Sequence, residues 1–546
     1  MLLSEQYQNS RLVDGLTEML RGRGARVHVD GMTGSLPAVV AAALSARLNT
    51  ASQLIIASNK EEAFYLCNDL EALETKVMLF PTSYRKAYHY EEEQTDNANI
   101  LMRSEVVKEL AAGVPLTVVT YPEALSEKVV STGVLAANTL RLDRSTKHDL
   151  WDVADQLQEL GFEREDFVVE PGQYAVRGGI VDVFSYASDL PYRIEFFDDQ
   201  VDSLRTYNPV SQLSVKQLDR VDIVPNLVGS GELVVENKVS LLEYFGGSDV
   251  VWVQSLMMVS QRMDGLMDEV RKAYDARRAD TEHPIMGTLP KPEELCCSAN
   301  ELLHKLLELN IVEYGNSHFF REETKVETHS EPQPAFNKQF DLLTETLNKY
   351  AEQGYKLIIT VSNESQQKRL EKVFSGQGSV AGDATQVGGS LLNTEHLTLN
   401  TLNLSHGFID HDECLLCFTD HEIFDRYHKY TVKDLRATHE AMTLKELFEL
   451  KPGDYVTHID YGVGRFSGLE KVTQNGKSQE LIRLIYKNND VLYISIHGLH
   501  KISRYVGREG EAPTLNRLGS NTWQVLKQKT KCQVKDIAKD LIALYA

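Results

Sequence analysis

Long apolar runs are missing from the chain. No stretch of its 546 residues approaches about 18 uninterrupted apolar positions, which argues against a transmembrane helix. The first residues, MLLSEQYQNSRL, lack the basic-then-apolar layout of a secretion signal, so a cytoplasmic location is expected. Cysteine is sparse: six residues in so long a chain do not make a disulfide framework. One close spacing, Cys414 and Cys417 in ECLLCF, has no second pair to complete four zinc ligands and reads as a buried strand. No metal site and no cofactor are therefore expected. Positive charge is also in deficit. With 57 Lys and Arg against 79 Asp and Glu the net charge is −22, and no dense basic run appears. Sequence-independent DNA binding, which draws its affinity from neutralising phosphates, is disfavoured.

A composition that is 42% hydrophobic provides for several cores, and the length suits roughly three to five domains. Residues 25–125 alternate strand-like pieces (ARVHVD, QLIIAS, KVMLF, LTVVT) with helical ones (LPAVVAAALSARL, EEAFYLCNDLEAL, ILMRSEVVKELAAG). That order predicts a parallel sheet with helices on its faces. Its first turn, VDGMTGSLPAVVAAAL (Val29 to Leu44), has the layout of a phosphate-binding loop without its chemistry. In a G-x-x-x-x-G-K-[ST] frame starting at Gly31, the second glycine is Leu36, the lysine is Pro37 and the Ser/Thr is Ala38; only Gly34 remains to support a tight turn. Without the lysine there is no point charge for the phosphates, and without the hydroxyl there is no ligand for Mg²⁺.

From residue 140 to 215 the texture becomes strand, turn, strand. In PYRIEFFDD, period two places Tyr192, Ile194 and Phe196 on one face and Arg193, Glu195 and Phe197 on the other. A face with an arginine and a large aromatic has the composition of an interface hot spot, unless a neighbouring helix covers Phe197. Residues 216–325 return to α/β material, with MDEV (Met267 to Val270) inside a helical pattern. The polar, proline-marked segment 326–339 reads as a linker. A small α/β unit follows over 340–440. Residues 445–515 then give short alternating strands between Pro-Gly, Tyr-Gly and Asn-Gly turns, which suggest a small bent barrel of Tudor-like type. An apolar-striped helix over 521–546 points to a chain cut before a further domain.

Two blocks carry a resemblance. EPGQYAVRGGIVDVFSYASDLPYRIEFFDDQVDSLRTYNP (Glu170 to Pro209) resembles the UvrA-binding segment shared by UvrB and the bacterial transcription-repair coupling factors, the Mfd family. GDYVTHIDYGVGRFSGLEKV with ELIRLIYKNNDVLYISIHGLHKISRY resembles that family's RNA polymerase-interacting domain, related to CarD-type regulators. Their order, with a damaged phosphate loop upstream, is similar to the N-terminal half of the family. The resemblance implies a UvrB-like degenerate P-loop domain in two parts (1–139 and 216–325), an inserted UvrA-binding β domain (140–215), the linker, the α/β unit of unknown role, the polymerase-interacting domain and a helix leading to an absent translocase. It implies docking on UvrA through Arg177, Arg193 and Phe197, and on the RNA polymerase β subunit through Val472 with Leu469 and Lys471. It further implies a monomer that is no enzyme itself and meets DNA only through the missing motor. Two other readings stay open: a UvrB-like ATPase or helicase subunit, and a CarD-type regulator whose N-terminal half is only structural.

Overall fold

The computed structural model describes residues 3–83, 88, 97–144, 147–166, 168, 170–197, 200–209, 212–226, 238–280, 289–321, 323–336, 339–362, 364–374, 397–425, 453–458, 461–474, 477–495, 502–505, 513–518 and 523. All but residue 523 of the expected terminal helix lies outside them. Two compact units divide the chain, residues 1–432 and 433–546. No helix among the described residues is long and apolar enough to cross a membrane.

The first unit is built on a seven-stranded, all-parallel sheet. From edge to edge its strands are Thr324–Glu327, Arg26–Asp30, Asn310–Tyr314, Val250–Val253, Gln53–Ile56, Thr117–Thr120 and Val77–Leu79. Its central strands are fully buried apolar runs, as a parallel sheet covered on both faces requires. The helix Leu36–Arg47 follows the first turn and is buried on nearly every side, which accounts for its almost uniformly apolar sequence. Met267 to Val270 lies within the helix Leu256–Ala279, as its pattern suggests.

A second, six-stranded sheet runs in the order Ser214–Leu218, Gln200–Tyr207, Tyr192–Phe197, Ile180–Val183, Gln173–Arg177 and Glu163–Arg164. The neighbours from Ser214 to Arg177 pair antiparallel. One face packs Tyr174, Val181, Val183, Tyr192, Ile194 and Leu204 against Leu150, Val153 and Leu157 of the helix Leu150–Glu159. The other face carries Arg177, Asp182, Arg193, Glu195 and Arg205, together with Phe197.

A third sheet has the order Ser330–Pro332, Phe408–Asp410, Leu415–Thr419, Lys356–Val361 and Leu397–Thr401. Cys417 is buried in its strand, and Cys414 is exposed at the turn before it. The segment read as a linker is thus not free chain. Thr324–Glu327 closes one edge of the first sheet and Ser330–Pro332 one edge of the third. Its polar composition belongs to edge strands that face solvent.

The second unit holds a five-stranded antiparallel sheet in the order Val491–Ser495, Lys477–Ile485, Gly462–Gln474, Tyr455–His458 and Ile502–Arg504. Its core is Val456, Phe466, Ile482, Leu484, Tyr486, Ile494 and Ile502. The two end strands do not pair among the described residues, so this is an open sheet where a closed barrel was expected.

Candidate functional site

On the polar face of the six-stranded sheet, alternation does what the sequence suggests. Arg193, Glu195 and Phe197 share that face while Tyr192 and Ile194 are buried beneath. No helix covers Phe197, which is 79% exposed, the most exposed of the large apolar side chains among the described residues. An open recess of about 400 Å³ lies beside it, lined by Arg144, Gln200, Val201, Asp202 and Asp219.

The two arginines already have a partner within the sheet. Asp182 stands directly opposite Arg193 in the strand register and is fully buried. Arg193 Nε and Nη2 donate to its two oxygens at 2.7 and 2.8 Å, and Nη2 also donates to Gln212 Oε1 at 2.8 Å. Arg177 Nη2 donates to the same carboxylate. Arg193 further stacks on the Tyr207 ring, 4.2 Å from its centroid. The Asp182 hydrogen bonds, against the cost of burial, hold its pKa above the ordinary arginine value. Arg177 reaches this point because Gly178, at φ +59°, turns the chain immediately after it. Glu195, one step along the face, accepts hydrogen bonds from Arg205 and Ser203, which pull its pKa down to about 2. The result is a prearranged face: two cations over one buried anion, with an exposed ring at its rim. Asp182, Gln212 and Tyr207 escaped the sequence reading. The one available signal was an acid in the apolar run Ile180–Val183.

In the second unit, Leu469, Lys471 and Val472 lie on the strand Gly462–Gln474. The strand Tyr455–His458 pairs only with its residues Gly462 to Arg465. From Gly468 to Gln474 the described residues place a partner on one side alone, the strand Lys477–Ile485. Leu469 is exposed on this one-sided stretch. The side chains of Lys471 and Val472 lie outside the described residues, and their backbones oppose Glu480 and Gln479.

The third predicted site is the degenerate loop. Gly34, at φ +56°, keeps the tight turn, and Leu36, Pro37 and Ala38 form the first turn of the following helix. Ser35 sits at its N-cap but does not cap it. Its hydroxyl donates at 2.6 Å to Asp69, a buried carboxylate on the helix Lys60–Ala72. Into the mouth of this loop comes Ser405–Gly407 from the third sheet's module. Ser35 N–H donates to the His406 carbonyl at 3.3 Å, and His406 N–H donates back to Ser35 Oγ at 3.0 Å. Ser405 gives both its N–H and its hydroxyl to Asp69, each at 2.6 Å. Burial raises the Asp69 pKa to about 6 against these hydrogen bonds.

One cluster of metal-ligand types occurs among the described residues: His28, His318 and Glu323 offer atoms within 4.8 Å of one another. It supplies three donors where a structural zinc site uses four, and His28 Nε2 is committed to the Gly315 carbonyl at 2.9 Å. Cys414 and Cys417 are not part of it.

Comparisons with known proteins agree with this division. Residues 140–227 match the UvrB interaction domain, and residues 450–506 match the CarD-like/TRCF RID domain. The transcription-repair-coupling factor of Bacillus subtilis (strain 168) is 24% identical across 100% of this chain and 50% of its own length. That of Staphylococcus aureus (strain bovine RF122 / ET3-1) is 23% identical across 90% and 47%, and that of strain USA300 24% across 73% and 38%. The chain spans about half the length, or less, of these curated relatives. The chain is similar to the transcription-repair-coupling factors along its length, with a match to the UvrB interaction domain and, C-terminal to it, to the CarD-like/TRCF RID domain.

Proposed function

We propose that this chain is a two-partner adaptor in transcription-coupled repair, docking on UvrA with one unit and on RNA polymerase with the other, without catalysis of its own. The observation that carries the reading is Phe197. A phenylalanine left 79% exposed on the face that carries Arg177 and Arg193, within residues that match the UvrB interaction domain, has the composition of an interface anchor. The Arg177–Asp182–Arg193 cluster beside it presents a net positive, prearranged surface to acidic groups of UvrA.

On the second unit, the described residues set no strand on the other side of Gly468 to Gln474, with Leu469 exposed on it, an arrangement suited to strand addition by the polymerase β subunit. Val472 and Lys471 lie on that stretch and are assigned to the same contact. The absence of catalysis rests on Leu36, Pro37 and Ala38 at the positions where ATP use needs Gly, Lys and Ser or Thr. The ATP-driven translocation that the family resemblance implies falls outside these residues. The protein works in the cytoplasm as a monomer, with DNA reached only through the translocase that the resemblance implies.

Separate co-purifications test this. Residues 1–432 should retain UvrA, and the full chain should retain both UvrA and core RNA polymerase. Retention of polymerase alone would leave the regulator reading, and saturable Mg-ATP hydrolysis would restore the ATPase reading.

A further inference from the structure

The loop that should hold phosphate already has an occupant. We propose that the degenerate phosphate loop is a socket whose standing ligand is the chain's own Ser405–His406–Gly407 turn, and that this clasp fixes the module containing Lys356–Val361 and Leu415–Thr419 onto the seven-stranded sheet. The inference stands apart from the docking reading, since neither UvrA nor polymerase takes part in it.

Each change in the loop suits a neutral peptide better than an anion. The N-terminus of the helix Leu36–Arg47 carries partial positive charge, and there the Ser35 N–H meets the His406 carbonyl oxygen at 3.3 Å. A peptide oxygen thus stands where a phosphate oxygen would. Pro37 brings no N–H, so nothing is orphaned when no phosphate arrives. The socket is lined by negative charge: Asp69 is 1% exposed and accepts from Ser35 and Ser405, themselves 2% and 3% exposed, and Glu422 accepts from the Gly407 N–H at 2.7 Å. An incoming phosphate would face these carboxylates. Gly34 completes the fit. A Cβ there would lie 2.4 Å from the Gly407 carbonyl oxygen, so the two backbones touch where a phosphate-loop glycine would admit its ligand. Flanking bonds extend the clasp: Asn68 Nδ2 donates to the Asn403 carbonyl at 2.8 Å, and Tyr7 Oη donates to Asp410 at 2.6 Å. The ligand class is therefore a Ser-x-Gly peptide turn, supplied in cis.

Hydrogen exchange of the full chain, read by peptide, tests it. In the parent, residues 405–407 should be protected, and millimolar Mg-ATP should change neither them nor residues 31–38. Gly34→Ala should accelerate exchange at 405–407 at least about tenfold, while peptides from the central strands Gln53–Ile56 and Thr117–Thr120 stay protected. If those strands open as well, Ser405→Ala decides. It adds no atom, removes one hydroxyl bond to a buried carboxylate, and should give about tenfold. Protection of residues 31–38 by Mg-ATP would overturn the proposal, as would unchanged exchange at 405–407 in the deciding variant.

Discussion

Arg177 and Arg193 are held by the same carboxylate, that of Asp182. The two residues therefore differ from Phe197 in what their removal does. Arg193→Ala strips the bidentate partner from a fully buried acid, and Asp182→Ala leaves two cations without their counter-ion. Losing one side of a buried pair costs about 3–5 kcal/mol. We expect Asp182→Ala to lower the melting temperature clearly and to weaken UvrA binding through misplaced arginines. Asp182→Asn, which keeps the shape and some hydrogen bonds, should fall between it and the parent. Calorimetry with a UvrA pull-down checks both. An Asp182→Ala protein as stable as the parent would remove the buried-pair account.

Phe197→Ala should behave in the opposite way. A side chain 79% exposed contributes little to folding, so stability should stay within about 0.5 kcal/mol of the parent. As the exposed aromatic anchor of that face it should cost at least about 2 kcal/mol of UvrA affinity, close to thirtyfold in Kd. Titration calorimetry alongside thermal melts separates the two readouts, and full affinity in the folded variant would remove Phe197 from the interface.

These cases show what the sequence could and could not reveal. Period two in Tyr192–Phe197 is local and readable, because neighbouring side chains alternate whatever the strand packs against. The strand-helix order of the first hundred residues announces a parallel sheet for the same reason. Asp182 was legible only as an oddity in Ile180–Val183, since its role needs the register that sets it opposite Arg193. The Ser35–Ser405 contact spans 370 positions and has no periodic signature. The edge strands at 324–332 were hidden by their polarity, which composition cannot distinguish from a linker.

Mild acid should stabilise the fold around Asp69. Asp69 titrates at about 6 when folded against an ordinary 3.8, because burial penalises its charge. A raised folded pKa means that the folded form binds the proton more strongly. The stabilisation is complete below the unfolded pKa and is lost as pH rises through about 6. His406, raised chiefly by its hydrogen bond to Glu422, acts with the same sign. Cys417 and Glu422 also face this pocket, and both titrate outside the window. Going from about pH 7.5 to about pH 5.5 should return roughly 1 kcal/mol from Asp69. A higher melting temperature at the lower pH, with the gain reduced in Asp69→Asn, is the expected result.

On the second unit, Val472→Arg should abolish polymerase binding with little change in melting temperature. The argument is backbone pairing: Val472 opposes Gln479 on a stretch with no described strand on its other side. A bulky charge there obstructs strand addition while leaving the core of Phe466, Ile482 and Leu484 untouched. A strongly destabilised variant would place Val472 in the core instead.

Restoring the loop's sequence should not restore its old chemistry. Pro37→Lys with Ala38→Ser returns the charge and the hydroxyl that a phosphate loop needs. The socket, however, would still hold Ser405–Gly407, and its floor would still be the Asp69 carboxylate. Ala38 is 1% exposed, so the added oxygen itself should cost about 1–3 kcal/mol by overpacking. We expect titration with a fluorescent ATP analogue and Mg²⁺ to stay flat in the double variant. Adding Gly34→Ala to displace the turn should still give no site, because the new Cβ narrows the cradle it vacates. Only shortening of the 405–407 turn itself, with the lysine in place, should let a nucleotide in. Saturable binding by the double variant alone would mean that the turn yields to phosphate and that the missing lysine was the whole obstacle.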